Sequence, residues 1–179
     1  MDQQDTDIKT VRALKANGKA SAEHTITLST GVVLRGKTVP PLGYVTVAAA
    51  FPTPKPPMWK DPNLGRLVEN PDNEDYINRV KSIQMESSSA LLNVMIVYGT
   101  EVVSTPPGFS KPKDKKWLDR FRLTGLPIFD DEDWKYLTWI KFEAATTPED
   151  LNLIKEVVGK LSGVPEKDVE AAESFPGSN

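Results

Sequence analysis

Fifteen prolines punctuate this 179-residue chain, and their positions dictate where helices can begin and end. Proline removes a backbone donor and clashes with the preceding turn, so inside a helix it breaks what it would join. At the first helical turn it is tolerated. Pro41 and Pro148 sit where such first turns are expected, each ahead of apolar residues at helical spacing. Pro52, Pro54, Pro56 and Pro57 crowd six positions and forbid both helix and central strand there. Such a stretch favours stiff, extended polyproline II. The reading is a rigid connector over 52–62, closed by Pro62.

Between these breaks the apolar pattern divides the chain. Residues 1–22 are polar, with only Ile8, Val11 and Leu14 at helical spacing, and read as a flexible arm. Ile26 and Leu28 then alternate with Thr25, Thr27 and Ser29, and Val32 and Leu34 carry a second alternating run. Ser29-Thr30-Gly31 lies between them, so a β-hairpin is predicted over 24–38. Leu42, Val45, Ala48 and Ala49 make one stripe of a short helix closing near Phe51. Asn70-Pro71-Asp72 resembles a capped start for the longest helix, with Tyr76, Val80, Ile83, Ser87, Leu91, Val94 and Tyr98 along it. Gly99 reads as its stop. Ser87-Ser88-Ser89 weakens the middle and predicts a bend or fraying there.

Three further helices are predicted. Asp114 would cap one carrying Trp117, Leu118 and Phe121. Asp130 to Asp133 load the start of the next with negative charge, which suits the helix dipole. Its residues Trp134, Tyr136, Leu137, Trp139, Ile140 and Phe142 point nearly all round the axis, as in a helix buried on several sides. Thr147-Pro148-Glu149-Asp150 starts the third, with Leu151, Ile154, Val158 and Leu161 on one face. A last short helix is expected from Pro165 through Phe175. The fold class is therefore mainly α with a small N-terminal β-hairpin (α+β), a single compact helical domain over 23–176.

Composition narrows the function classes. With no cysteine in the chain, thiolate catalysis, disulfides and cysteine zinc sites are excluded. A net charge of −3 gives no general reason to bind nucleic acid, and the one basic cluster, Lys111, Lys113, Lys115 and Lys116, is interrupted by Pro112 and Asp114. The most apolar stretch, Ala90 to Val103, falls short of the ~20 residues that cross a bilayer. The acidic, polar start at Met1-Asp2-Gln3-Gln4-Asp5 is unlike a signal peptide. A cytoplasmic protein is expected, without nucleic-acid or membrane partners.

Gly31-Val32-Val33-Leu34-Arg35-Gly36-Lys37-Thr38 fits the P-loop pattern formally. A P-loop curls its backbone round phosphates and then launches a helix. Here the intervening residues are β-formers, and Val39-Pro40-Pro41 follows where the helix interior should lie. The match is accidental on that reading. His24 is the only histidine, and it reads as an exposed residue at a strand start rather than a triad base. Asp130, Asp131, Glu132 and Asp133 lack the glycine of a calcium loop, since Lys135 stands in its place. Asp61-Pro62-Asn63-Leu64-Gly65 reads as a turn. No catalytic, cofactor or metal residue is nominated, and no enzyme is expected.

Two aromatic-rich regions could serve binding. Phe51 to Trp59 reads first as a connector, and the 134–142 helix first as core. Yet four tryptophans and one helix apolar all round would also suit a self-association or client surface. Met58, Trp59, Trp134 and Trp139 are the candidate partner-contacting residues.

In order and texture, residues 22–176 resemble the tail assembly chaperones of long-tailed bacteriophages. The shared outline begins with the hairpin from Ile26 to Leu34, Val39-Pro40-Pro41 and a short helix. It continues through the proline run from Phe51 to Pro57 and a long helix ending Met95-Ile96-Val97-Tyr98-Gly99-Thr100-Glu101. Tyr136-Leu137-Thr138-Trp139-Ile140-Lys141, Leu161-Ser162-Gly163-Val164 and a closing helix complete it. The resemblance implies an assembly role in the cytoplasm of an infected bacterium. The partner would be the tape measure protein, kept soluble while tail tube protein polymerises round it, with the chaperone absent from the finished virion. The competing expectation is a tail or connector subunit that stays in the particle.

Overall fold

The structure, a computed structural model, describes residues 24–163. The expected arm over 1–22 and the helix from Pro165 lie outside the described residues.

The predicted hairpin is present. Strands β1 (Thr25–Thr27) and β2 (Val33–Gly36) pair antiparallel, with Ile26 opposite Leu34. Gly31 takes φ +81°, the left-handed conformation a tight turn needs, and its N–H donates to the Leu28 carbonyl over 2.8 Å. The alternation read from the sequence places Ile26, Leu28, Val32 and Leu34 in the core.

Helix α1 (Pro41–Ala50) follows with proline in its first turn. A second ribbon comes next, β3 (Met58–Lys60) and β4 (Leu67–Glu69), antiparallel with Trp59 opposite Val68. The connector therefore ends at Pro57. Residues 58–69 form a hairpin around the turn at Asp61–Gly65, because Pro57 and Pro62 flank β3 instead of interrupting it. Helix α2 (Glu74–Gly99) starts later than expected. Asn73 is its cap, accepting from the Tyr76 N–H over 2.9 Å. It runs unbroken through the three serines.

Helix α2 ends at Gly99, though not through a left-handed C′ conformation. That glycine is helical, and its role is space: a Cβ there would stand 2.4 Å from Val158 Cγ1 and 3.0 Å from Val39 Cγ2. The chain turns directly into β5 (Thr100–Ser104), unforeseen in the sequence, which pairs antiparallel with β2. The sheet order is β1-β2-β5. Between Val102 and Ser104 the register slips, leaving Val103 as a bulge.

Helices α3 (Lys115–Arg122) and α4 (Glu132–Trp139) stand where expected. But Asp114 precedes α3 without a capping bond, its carboxylate accepting from the Lys111 N–H, and Phe142, expected within α4, lies beyond it and is exposed. Asp131 caps α4, accepting from the Trp134 N–H over 2.8 Å. The chain then widens into a π-helical turn over Ile140–Ala144, closed by Ala145 N–H to the Ile140 carbonyl over 2.8 Å. Helix α5 (Pro148–Leu161) begins with a reciprocal capping box between Thr147 and Asp150. It packs on the last turns of α2 and on β1 and β2.

The core sits where these elements meet. Trp117, Trp139, Ile96, Ile140, Ile154 and Val158 are wholly buried. Between residues 40 and 91, by contrast, the only buried hydrophobic side chain is Val47. The described chain thus has a packed end and a thinly covered one. Its helical content with two small antiparallel sheets is the α+β class expected, and none of its described helices is long and apolar enough to cross a membrane.

Candidate interaction surface

The thinly covered end starts with α1. The predicted stripe of Leu42, Val45, Ala48 and Ala49 is not the buried one: Leu42 is 72% exposed and Val45 61%. Instead its one buried side chain is Val47, and the helix meets α2 at Gly43, whose missing Cβ lets Val94 approach to 3.0 Å of that position. The first apolar face chosen by periodicity is left for something else.

The 58–69 ribbon carries the next part. Asp61 organises its turn, accepting through Oδ1 from the Asn63 and Leu64 N–H groups over 2.7 and 3.1 Å. Gly65 supplies φ +65°. Because strand residues alternate faces, Trp59 and Val68 share one side, and Met58, Lys60, Leu67 and Glu69 the other. Met58, Leu64 and Leu67 are each more than half exposed, and Trp59 is 45% exposed. None of the ribbon's side chains belongs to the core cluster. A two-stranded ribbon of this size is marginal in water without a covering partner.

The four candidate residues divide. Met58 and Trp59 are accessible. Trp134 is half-buried in an aromatic group, edge-on to Phe121 at 5.8 Å and to Phe129 at 5.6 Å. Trp139 is a correction. It is wholly buried, edge-on to Phe109 at 6.2 Å, with its indole N–H donating to the Ser110 carbonyl over 3.0 Å. A partner could reach it only by unpacking the core. Sequence reasoning missed a second apolar patch after α3, where Leu123, Leu126, Phe129 and Phe142 are about half exposed or more. The spacing of the first three gave no periodic signal, because they lie in a loop.

A groove of about 850 Å³ lies beside β5, where charged side chains share the lining with Val97, Val102 and Val103. Four of its ionic groups answer one another. Lys37 meets Glu101 at 2.6 Å and Lys113 meets Glu132 at 2.6 Å. The bond from Lys37 holds the Glu101 carboxyl below its ordinary value. Burial pushes the Tyr136 phenol up to about 12, and its hydroxyl shares a 2.7 Å hydrogen bond with Thr100. Lys37, Glu101, Lys113 and Glu132 are thus committed to pairs, and Tyr136 to Thr100.

The Gly31–Thr38 stretch is a turn and a central strand. Its backbone groups are tied to β1 on one side and β5 on the other, and Lys37 N–H donates to the Gly99 carbonyl over 2.7 Å. That geometry cannot wrap a phosphate. His24 is half-buried rather than exposed, immediately ahead of β1. Asp131 is committed to its cap, and Asp130 meets Lys135 at 2.5 Å. Among the described residues no group of three histidines or acids is placed to hold a metal.

Compared with protein-family models, with characterised proteins and with solved structures, the chain has no match.

Proposed function

We propose that this chain is an assembly chaperone of the phage-tail kind, which keeps a tape measure protein soluble until tail tube protein encloses it. The observation that carries the reading is the exposed apolar surface of the thinly covered end. Leu42 and Val45 on α1, and Met58, Trp59, Leu64 and Leu67 on the ribbon, stand out of the core. The likeness of chain order to tail assembly chaperones supports it. So does the chemistry of the client, a long amphipathic helical protein whose apolar stripe is bare before assembly.

Contact between two such stripes removes apolar area from water, roughly 1–2 kcal/mol for each side chain that goes from half exposed to buried. A handful of such contacts gives a weak, reversible complex. Many copies along one client supply avidity, and tube subunits can still displace each copy. In this reading the protein works in the cytoplasm of the infected cell, performs no catalysis and leaves before the particle is finished.

Co-expression with the tape measure protein tests this. The client is expected to move from the insoluble to the soluble fraction and to be pulled down with this chain. Unchanged client solubility, or recovery of this chain from purified virions, would reject the reading in favour of a retained tail subunit.

A further inference from the structure

From Glu74 to Leu91, α2 contains no buried side chain; the first is Leu92. Those eighteen residues form an arm about 27 Å long. A helix of that length, with three consecutive serines, is marginal in water unless something covers it. One face is partly covered already, since Tyr76, Val80, Ile83 and Ser87 are half-buried. The opposite face is Glu74, Asn78, Lys81 and Met85, spaced by four, three and four residues and all exposed.

Charge is ordered along this arm. Glu74 and Asp75 come first and Arg79 and Lys81 one to two turns later, these four preceding Glu86, which lies off that face and accepts from the Ser82 hydroxyl. None of the four has an ion-pair partner among the described residues.

We propose that the outer face of α2 seats a second copy of this chain, the two arms antiparallel about a two-fold axis close to Asn78. Acid followed by base is self-complementary only in that arrangement. Glu74 faces the second copy's Lys81, and Lys81 faces its Glu74. Parallel arms would set like charges side by side. The contact is isologous, so each pairing occurs twice. At the same register Met85 falls beyond the start of the second copy's helix, so the two Glu74–Lys81 pairs carry the contact. The proposal does not depend on the chaperone reading, because it concerns the chain without a client. A client helix on this face is the alternative occupant.

Sedimentation velocity on the full chain, expressed without any client and run over a wide concentration range, tests it. The wild type is expected to dimerise. Lys81→Glu and Glu74→Lys should each weaken association by about tenfold or more. The double variant E74K/K81E should recover it, with unchanged helicity in all four by circular dichroism. A wild type that stays monomeric throughout overturns the proposal and leaves the face to a client. So does a dimer indifferent to the single reversals, or one the double variant fails to restore.

Discussion

Ser29 is bound twice to Asp150: its hydroxyl donates to Oδ2 over 2.6 Å and its backbone N–H to Oδ1 over 2.7 Å. The same carboxylate accepts from the Thr146 and Thr147 N–H groups over 3.1 and 3.3 Å. One side chain therefore ties the first hairpin turn to the start of the last described helix, and it is nearly buried while doing so.

Burial alone would raise the Asp150 carboxyl, but the hydrogen bonds from Ser29 and Thr147 outweigh it and hold the group below its ordinary value. A depressed carboxyl stabilises the fold above the unfolded value, near 4, and that contribution is lost as pH falls through the folded value. Asp150→Ala should cost about 2–4 kcal/mol, because it removes several hydrogen bonds to one buried, charged acceptor. Denaturant melts of wild type and D150A across the acid range check both points. The gap between the two should narrow below about pH 4. A gap independent of pH would contradict the assignment.

The difference between what could be read in the sequence and what could not follows the reach of each interaction. Gly31 and the Thr147–Asp150 box are local signals, and both were legible. The bond from Asp150 to Ser29 spans 121 positions and leaves no local trace. Gly99 looks like a helix stop, yet its use is to admit Val158, a long-range contact. Strand β5 was hidden because Thr100–Ser104 is short and directly follows an apolar helix. Periodicity on α1 finds an apolar stripe but not what it faces, and Leu42 and Val45 lie outside the core. Trp59 and Trp139 look alike in sequence, and only packing separates an accessible indole from a buried one.

Gly99→Ala should destabilise by about 1–3 kcal/mol, although alanine is the better helix former, because the added methyl overlaps Val158. Thermal melts decide it. A neutral or stabilising effect would mean that the space beside Val158 is not needed. Pairing the change with Val158→Ala should recover part of the loss.

Trp139→Ala should cost about 3–5 kcal/mol as a large core truncation. Trp59→Ala, on the open ribbon, should stay within about 1 kcal/mol. Equilibrium unfolding of the two variants side by side measures the contrast. Equal losses would place the ribbon inside the cooperative core, against the packing seen.

Lys37→Ala should lower stability by less than about 1 kcal/mol, since an exposed ion pair with Glu101 is all it removes. Calorimetry with ATP and magnesium should give no saturable heat for the wild type. A saturable signal abolished in K37A would mean that the Gly31–Thr38 strand rearranges to bind nucleotide.

The most direct measurement of the central claim is calorimetric titration of this chain with an amphipathic helical segment of the tape measure protein. The expected result is weak, saturable binding with a negative heat-capacity change, the mark of apolar burial. Trp59→Ala should weaken it several-fold while the fold stays intact. No binding, or binding that Met58→Ala and Trp59→Ala leave untouched, would contradict the claim that the ribbon holds the client.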